Sequence, residues 1–266
     1  LIVGPSGCGK STLCSYFCNT FPKPSIELGP DGAYHTLPAF FCTVPAKVTI
    51  KSFAKTLLLG LECTDLRGDT VDLELRVIEL LKTRHAELAI FDEIQILTDP
   101  DTERTANDVI KFLLGLLNRT NIPIFLSGTE ECKEVIYKDP KLARRYPFLI
   151  ELHPFTFDTN ASSEYISTLA QLDKMLYQIA ELAKGTHLTD TKISAGLFIA
   201  SGGNLEYLRM IIANALLICL RRDDHSLRPS DFSEASSFLT LNQSLCSGRN
   251  PFELTLNECY RLLESL

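Results

Sequence analysis

The chain has 266 residues, 45% of them apolar and 22% charged, which is enough for one large domain or for a domain with a smaller appendage. A net charge of −7 argues against a general nucleic-acid coat protein, so any DNA contact would have to come from a local basic patch. The longest apolar runs, Leu57–Leu61 and Ile211–Leu220, are too short or too interrupted to span a bilayer, so no membrane partner is expected.

The first half alternates short apolar runs with helical periodicity, the pattern of a parallel sheet flanked by helices and hence of an α/β fold. Leu1–Val3 reads as the end of a strand and Ser11–Phe21 as the helix behind it. Phe40–Val44 is the next strand candidate, followed by a helix over Ile50–Leu61. Val71–Arg84 is strongly periodic, Leu88–Phe91 is a buried strand, Ala106–Asn118 a helix, Ile122–Ser127 a strand, and Leu149–Leu152 the last of the series. Beyond His153-Pro154 the pattern is helical: Ser163–Leu172, Lys174–Lys184, Asp190–Ala200, Leu205–Arg221 and Pro229–Phe238. Gly248–Pro251 breaks it before a final amphipathic segment, Leu254–Leu266. The expected division is an α/β core over 1–158, a helical lid over 159–245 and a tail over 246–266 that either docks on a partner protein or packs back on the lid.

The nine cysteines include no CxxC pair and are odd in number, and several fall in apolar patterns. They read as reduced thiols in the core of a cytoplasmic protein rather than as disulfides or zinc ligands. The chain opens inside an apolar strand, which points to a natural start upstream of Leu1.

Gly4-Pro5-Ser6-Gly7-Cys8-Gly9-Lys10-Ser11, continued by Thr12, satisfies G-x-x-x-x-G-K-[ST] between a strand and a helix. Its glycines would let backbone N–H groups turn toward phosphate oxygens, with the positive end of the helix behind them. Lys10 would supply a charge to the β- and γ-phosphates of ATP, and the Ser11 hydroxyl a ligand to Mg²⁺. The strand Leu88–Phe91 ends in Asp92-Glu93, at the crevice where parallel strands present their carboxyl ends. Asp92 would hold the metal's water shell and Glu93 would polarise the attacking water.

Together these features resemble the AAA+ ATPases, an α/β core followed by a helical lid. That resemblance implies a polar residue at the end of the Ile122–Leu126 strand, here Ser127 or Thr129 where Asn is usual, that orients the lytic water. It implies an arginine finger acting on a neighbouring subunit, for which Arg145 and then Arg144 are the candidates. It also implies a lid arginine near the nucleotide. Glu206 stands where that residue is usual, so Arg209 is the substitute.

Within AAA+ proteins the chain resembles the TniB/TnsC regulators of DNA transposition. The resemblance rests on Gly4–Thr12, Phe91-Asp92-Glu93-Ile94-Gln95, Phe125-Leu126-Ser127-Gly128-Thr129-Glu130, Leu142-Ala143-Arg144-Arg145-Tyr146, His153-Pro154-Phe155 and Ser201-Gly202-Gly203-Asn204. It implies an ATP-dependent homo-oligomer, a ring or helical filament on double-stranded DNA, that links target-selection adaptor proteins to a transposase in a bacterial cytoplasm. In its small single-core form the chain resembles the members found in CRISPR-associated transposons. One sign of DNA contact comes from the residues themselves: Lys47, Lys51 and Lys55 stand without an acidic neighbour, Lys51 and Lys55 on one helical face. Thr49 is a plausible N-cap, so Lys51 lies near a helix N-terminus where a cation favours a compensating anion. The loop residue Thr70 is a further candidate. A replication-initiator or helicase-loader ATPase and a nucleotide-switched signalling scaffold are the competing readings.

Overall fold

The computed structural model describes the chain except for residues 30–31, 47, 99–102, 239–247 and 265–266, and except for the side chains of 29 and 103–105. It divides into two compact units, Leu1–Leu152 and His153–Leu266.

The first unit is built on a five-stranded sheet in the order β4-β5-β6-β1-β7, comprising Ala39–Thr43, Leu88–Asp92, Ile124–Gly128, Ile2–Val3 and Ile150–Glu151. All its pairings are parallel. Parallel strands need crossovers, and helices supply them: α1 (Lys10–Cys18), α2 (Ile50–Gly60), α3 (Thr70–Thr83) and α4 (Glu103–Thr120). All five residues of β5 are buried, which explains why its sequence is a continuous apolar run rather than an alternation. Phe91 of β5 meets Phe53 of α2 edge to face at 5.5 Å, and Phe53 meets Phe112 of α4 at 6.0 Å, so one aromatic row joins the sheet to the helices on one side. Helices α2 and α3 both begin with reciprocal caps, Thr49 with Ser52 and Asp69 with Asp72.

Three features of this unit lie beyond what the sequence pattern predicts. An antiparallel hairpin, β2 (Ser25–Gly29) with β3 (Gly32–Thr36), stands apart from the main sheet with Ile26 and Leu28 exposed. A 3₁₀ turn, Ile94–Thr98, follows β5 directly. Two short helices, α5 (Cys132–Lys138) and α6 (Pro140–Ala143), follow β6.

The second unit contains α7 (Glu164–Ile179), α8 (Thr191–Ser201), α9 (Leu205–Leu220), α10 (Pro229–Ser237) and α11 (Leu256–Glu264). The two helices expected over Ser163–Lys184 form one, α7, because Asp173 does not break it. Its carboxylate turns away from its own backbone, accepts from the Leu188 N–H at 2.8 Å and meets His187 Nδ1 at 2.7 Å. Phe155 and Phe157 pack on Tyr165 and Phe198, so the unit starts at His153 and not at 159.

The segment read as a partner-docking tail is part of this unit's own core. Phe252 is buried and stacks on Phe232 at 5.7 Å, and Leu254 and Cys259 are buried against Ala195 and Ile199 of α8. Gly196 makes this possible, since a Cβ there would fall 2.8 Å from the Phe252 ring. Among the described residues no helix is long and apolar enough to cross a membrane.

Candidate nucleotide site

The loop Gly4–Gly9 joins β1 to α1, with the glycines in two different roles. Gly7 (φ 81°) and Gly9 (φ 88°) take left-handed backbone angles that favour glycine. Gly4 does not; it is needed for close approach, because a Cβ there would stand 2.2 Å from the Leu152 carbonyl oxygen beyond β7. The Lys10 amino group is drawn back over this loop and donates to the carbonyls of Gly4 (2.8 Å) and Pro5 (2.9 Å). Pro5, Ser6, Ser11 and Thr12 line the exposed or half-exposed side of the turn, and Lys10 itself is buried.

Strand order brings the second half of the site to the first. With β6 between β1 and β5, Asp92 at the end of β5 lies opposite the start of α1, and the Ser11 hydroxyl donates to its Oδ2 at 2.5 Å. Asp92 is 2% exposed, and its other oxygen, Oδ1, is buried with no hydrogen-bond partner among the described residues. A buried carboxylate oxygen left bare is costly unless a cation or a donor meets it. A carboxylate beside a hydroxyl is also a hard-oxygen donor set of the kind Mg²⁺ takes. The residues fit that ion.

Glu93 follows with φ 64°, a left-handed angle that is unusual for a residue with a side chain. This turn leads the chain out of β5 into the 3₁₀ segment, where Gln95 Nε2 donates to Glu93 Oε2 at 2.5 Å. Ser127, near the end of β6, is fully buried, and its hydroxyl has no hydrogen-bond partner among the described residues. Thr129 is half-exposed; its N–H donates to Gln95 Oε1 at 3.2 Å and its hydroxyl to the Glu131 carboxylate. That last bond holds the Glu131 carboxyl below its ordinary value.

The thiols around the site are held protonated. Burial raises Cys8 against the opposing pull of Lys10, raises Cys14, and pushes Cys132 up to about 12.

The arginine candidates have other hydrogen-bond partners. Arg144 and Arg145 follow α6 and are exposed; Arg144 Nε donates to the Pro140 carbonyl at 3.1 Å and Arg145 Nη2 to Asn118 Oδ1 at 2.6 Å. Arg209 belongs to the second unit, where it forms a two-pronged ion pair with Glu206 one turn earlier. Lys51 is exposed and Lys55 half-buried on α2, and among the described residues neither has an ion-pair partner; Lys47 lies outside the described residues. Thr70 is not a loop residue. It is the first residue of α3, beside the exposed Asp69 and Asp72, which cap that helix. Gln95 belongs to the Asp-Glu-Ile-Gln motif, yet sequence reasoning assigns it no role; an amide two positions beyond a carboxylate at a strand end is the signal that could have found it.

A parallel sheet with the phosphate loop after its fourth strand in space, an acidic pair at the end of a strand two places away, and a separate helical unit defines a P-loop ATPase fold of the AAA+ type. Residues 1–155 match the family described as bacterial TniB protein, and the chain belongs to that family.

Among solved structures it is similar to Cdc6p from Pyrobaculum aerophilum, at 16% identity and a TM-score of 0.59 over 89% of this chain and 59% of that one. It is also similar to a Walker-type ATPase of Pyrococcus abyssi (15%, TM-score 0.58, 88% and 65% of the two chains) and to the FIGL-1 AAA domain (12%, 0.52, 99% and 74%). At these identities the likeness is one of fold, and the chain spans about three fifths of the Cdc6p chain's length. None of the curated proteins matches the chain.

Proposed function

We propose that this protein binds ATP with Mg²⁺ at Gly4–Thr12 and hydrolyses it, and that it assembles through ATP on double-stranded DNA to link target-site selection to a transposase. The observation that carries the nucleotide reading is the buried, bare Asp92 Oδ1 beside the Ser11–Asp92 bond, with the Lys10 amino group drawn over the Gly4–Gly9 loop. Ser11 and Asp92 would hold Mg²⁺, which when bound neutralises charge on the β- and γ-phosphate oxygens. Lys10 exchanges its two carbonyl acceptors for phosphate oxygens, and the N–H groups of the Gly4–Gly9 turn hold the phosphates in place. Glu93, with one carboxylate oxygen already occupied by Gln95, uses the other to take the proton of the attacking water. Arg145 or Arg144 reaches a neighbouring subunit's nucleotide, since both are exposed and neither is tied to a carboxylate.

DNA binding rests on family membership and on Lys51 and Lys55. With a net charge of −7 a single subunit holds duplex weakly, and an ATP-bound oligomer repeats the patch and gains avidity. The deciding experiment measures nucleotide affinity and phosphate release for the wild type, Lys10→Ala and Glu93→Gln. Lys10→Ala abolishes binding, and Glu93→Gln binds without turnover. Normal turnover by Glu93→Gln would remove that residue from the reaction.

A further inference from the structure

The side chain of Gln95 lies between the Glu93 carboxylate at the end of β5 and the turn that follows β6. It belongs to the 3₁₀ turn Ile94–Thr98, held down by the buried Ile94 and Leu97 on either side. One end of the amide meets Glu93 Oε2 at 2.5 Å; the other meets the Thr129 N–H at 3.2 Å and the Cys132 thiol at 3.8 Å. The chemistry fixes which end is which. A backbone N–H can only donate, so the end at Thr129 is the oxygen, and the end at Glu93 is the NH₂ group, a donor to a carboxylate.

The neighbouring residue makes room for this arrangement. A Cβ on Gly128 would fall 2.4 Å from Gln95 Oε1 and 2.2 Å from the Cys132 sulfur, so glycine at 128 leaves the passage open through which the amide reaches Thr129. Glu93 itself sits on a left-handed backbone, where nothing in the β5 ladder fixes its side chain.

We propose that Gln95 is the positioning residue for Glu93. Resting on the hydrolysis reading above, it occupies Oε2, leaves Oε1 to face the lytic water, and ties that carboxylate to the Thr129 end of β6. The bridge joins the base to the turn expected to orient the same water. Its second attachment at Cys132 is the first residue of α5, and α5 runs through α6 into Arg144 and Arg145. A shift of that segment when a neighbouring subunit docks therefore reaches Glu93 through a single side chain. Misplacing a catalytic group by about 1 Å costs on the order of a hundredfold in rate, so the effect should be large.

Two substitutions separate positioning from scaffolding. Gln95→Ala removes all three contacts, to Glu93, Thr129 and Cys132. Gln95→Glu keeps the shape and the acceptor for the Thr129 N–H but cannot donate to Glu93. Both should lower kcat by about tenfold or more while KM and nucleotide affinity stay within about twofold, because the interaction is made with the base and not with the nucleotide. A Gln95→Glu protein with wild-type kcat, a kcat that rises, or a loss shared by kcat and nucleotide affinity would each overturn the proposal.

A thermal-melting cycle of Gln95→Ala, Glu93→Ala and the double variant tests the bond without turnover. The double variant should melt above the value given by adding the two single shifts, and strict additivity would refute the interaction. If the wild type shows no turnover while the melting pair is coupled, the hydrolysis reading fails and the catalytic role of Gln95 fails with it. Turnover by the wild type with insensitive Gln95 variants overturns the positioning role alone.

Discussion

Replacing Gly4 with alanine tests whether the first glycine of the phosphate loop serves the nucleotide or the sheet. The added methyl would stand 2.2 Å from the carbonyl oxygen of Leu152, a main-chain atom that cannot rotate away. Relief requires the loop and the end of β7 to separate by roughly 1 Å, an overpacking cost of about 1–3 kcal/mol. The movement strains two bonds that seat the loop on the sheet, Leu152 N–H to Val3 O at 2.8 Å and Gly4 N–H to Gly128 O at 3.3 Å. Weakening them adds about 1 kcal/mol in total, for a destabilisation of about 2–4 kcal/mol. In a unit of this size each kcal/mol lowers Tm by about 2–4 °C, so the fall should be roughly 5–15 °C. Calorimetry in nucleotide-free buffer measures it, because there the phosphates cannot contribute. A Tm within about 2 °C of the parent, together with lost nucleotide binding, would refute the reasoning and return Gly4 to the phosphates alone.

Phe252→Ala should destabilise the helical unit by about 3–5 kcal/mol, seen as a lower transition for that unit in a melting curve, because the ring fills the space between Phe232 and Gly196. Subunits carrying Arg145→Ala and subunits carrying Lys10→Ala, each inactive alone, should recover part of their ATPase activity on mixing; co-assembly without recovery, repeated with Arg144→Ala, would exclude both arginines as fingers. Lys51→Ala should weaken ATP-dependent duplex binding in a titration against salt, reducing the log–log slope by roughly 0.9 for each phosphate that is no longer neutralised, with nucleotide affinity unchanged. Unaltered DNA binding after replacement of Lys51 and Lys55 together would move the interface elsewhere.

What the sequence makes legible is whatever depends on local spacing and strong periodicity. The loop Gly4–Thr12 and the buried strand before Asp92 are written in a fixed motif and in a continuous apolar run, and they stand where those patterns put them. The hairpin Ser25–Thr36 escapes such a reading because it lies outside the main sheet, although Gly29-Pro30-Asp31-Gly32 carries a turn signature. The fate of the tail is hidden for a different reason. An amphipathic helix states that one face must be covered, but the cover here is Gly196 and its neighbours on α8, a relation between distant positions that no local pattern records. The role of Gln95 is partly visible in its motif, and only the approach of Thr129 and Cys132 in space shows that its amide has two ends to satisfy.

The place of β1 in the sheet bears on how the protein is made. Its two residues pair with Ser127 and Gly128 on one side and with Ile150 and Glu151 on the other, so the strand that carries the phosphate loop is synthesised before both of its neighbours. Closing such distant pairs is entropically slow, and until they close the loop has no rigid base. During synthesis the apolar β1 has neither of these partners until β6 emerges, while β4 and β5 can already zip together. The nascent protein is thus exposed to aggregation through β1 and unable to grip a nucleotide until β7, the last strand of this sheet, has left the ribosome.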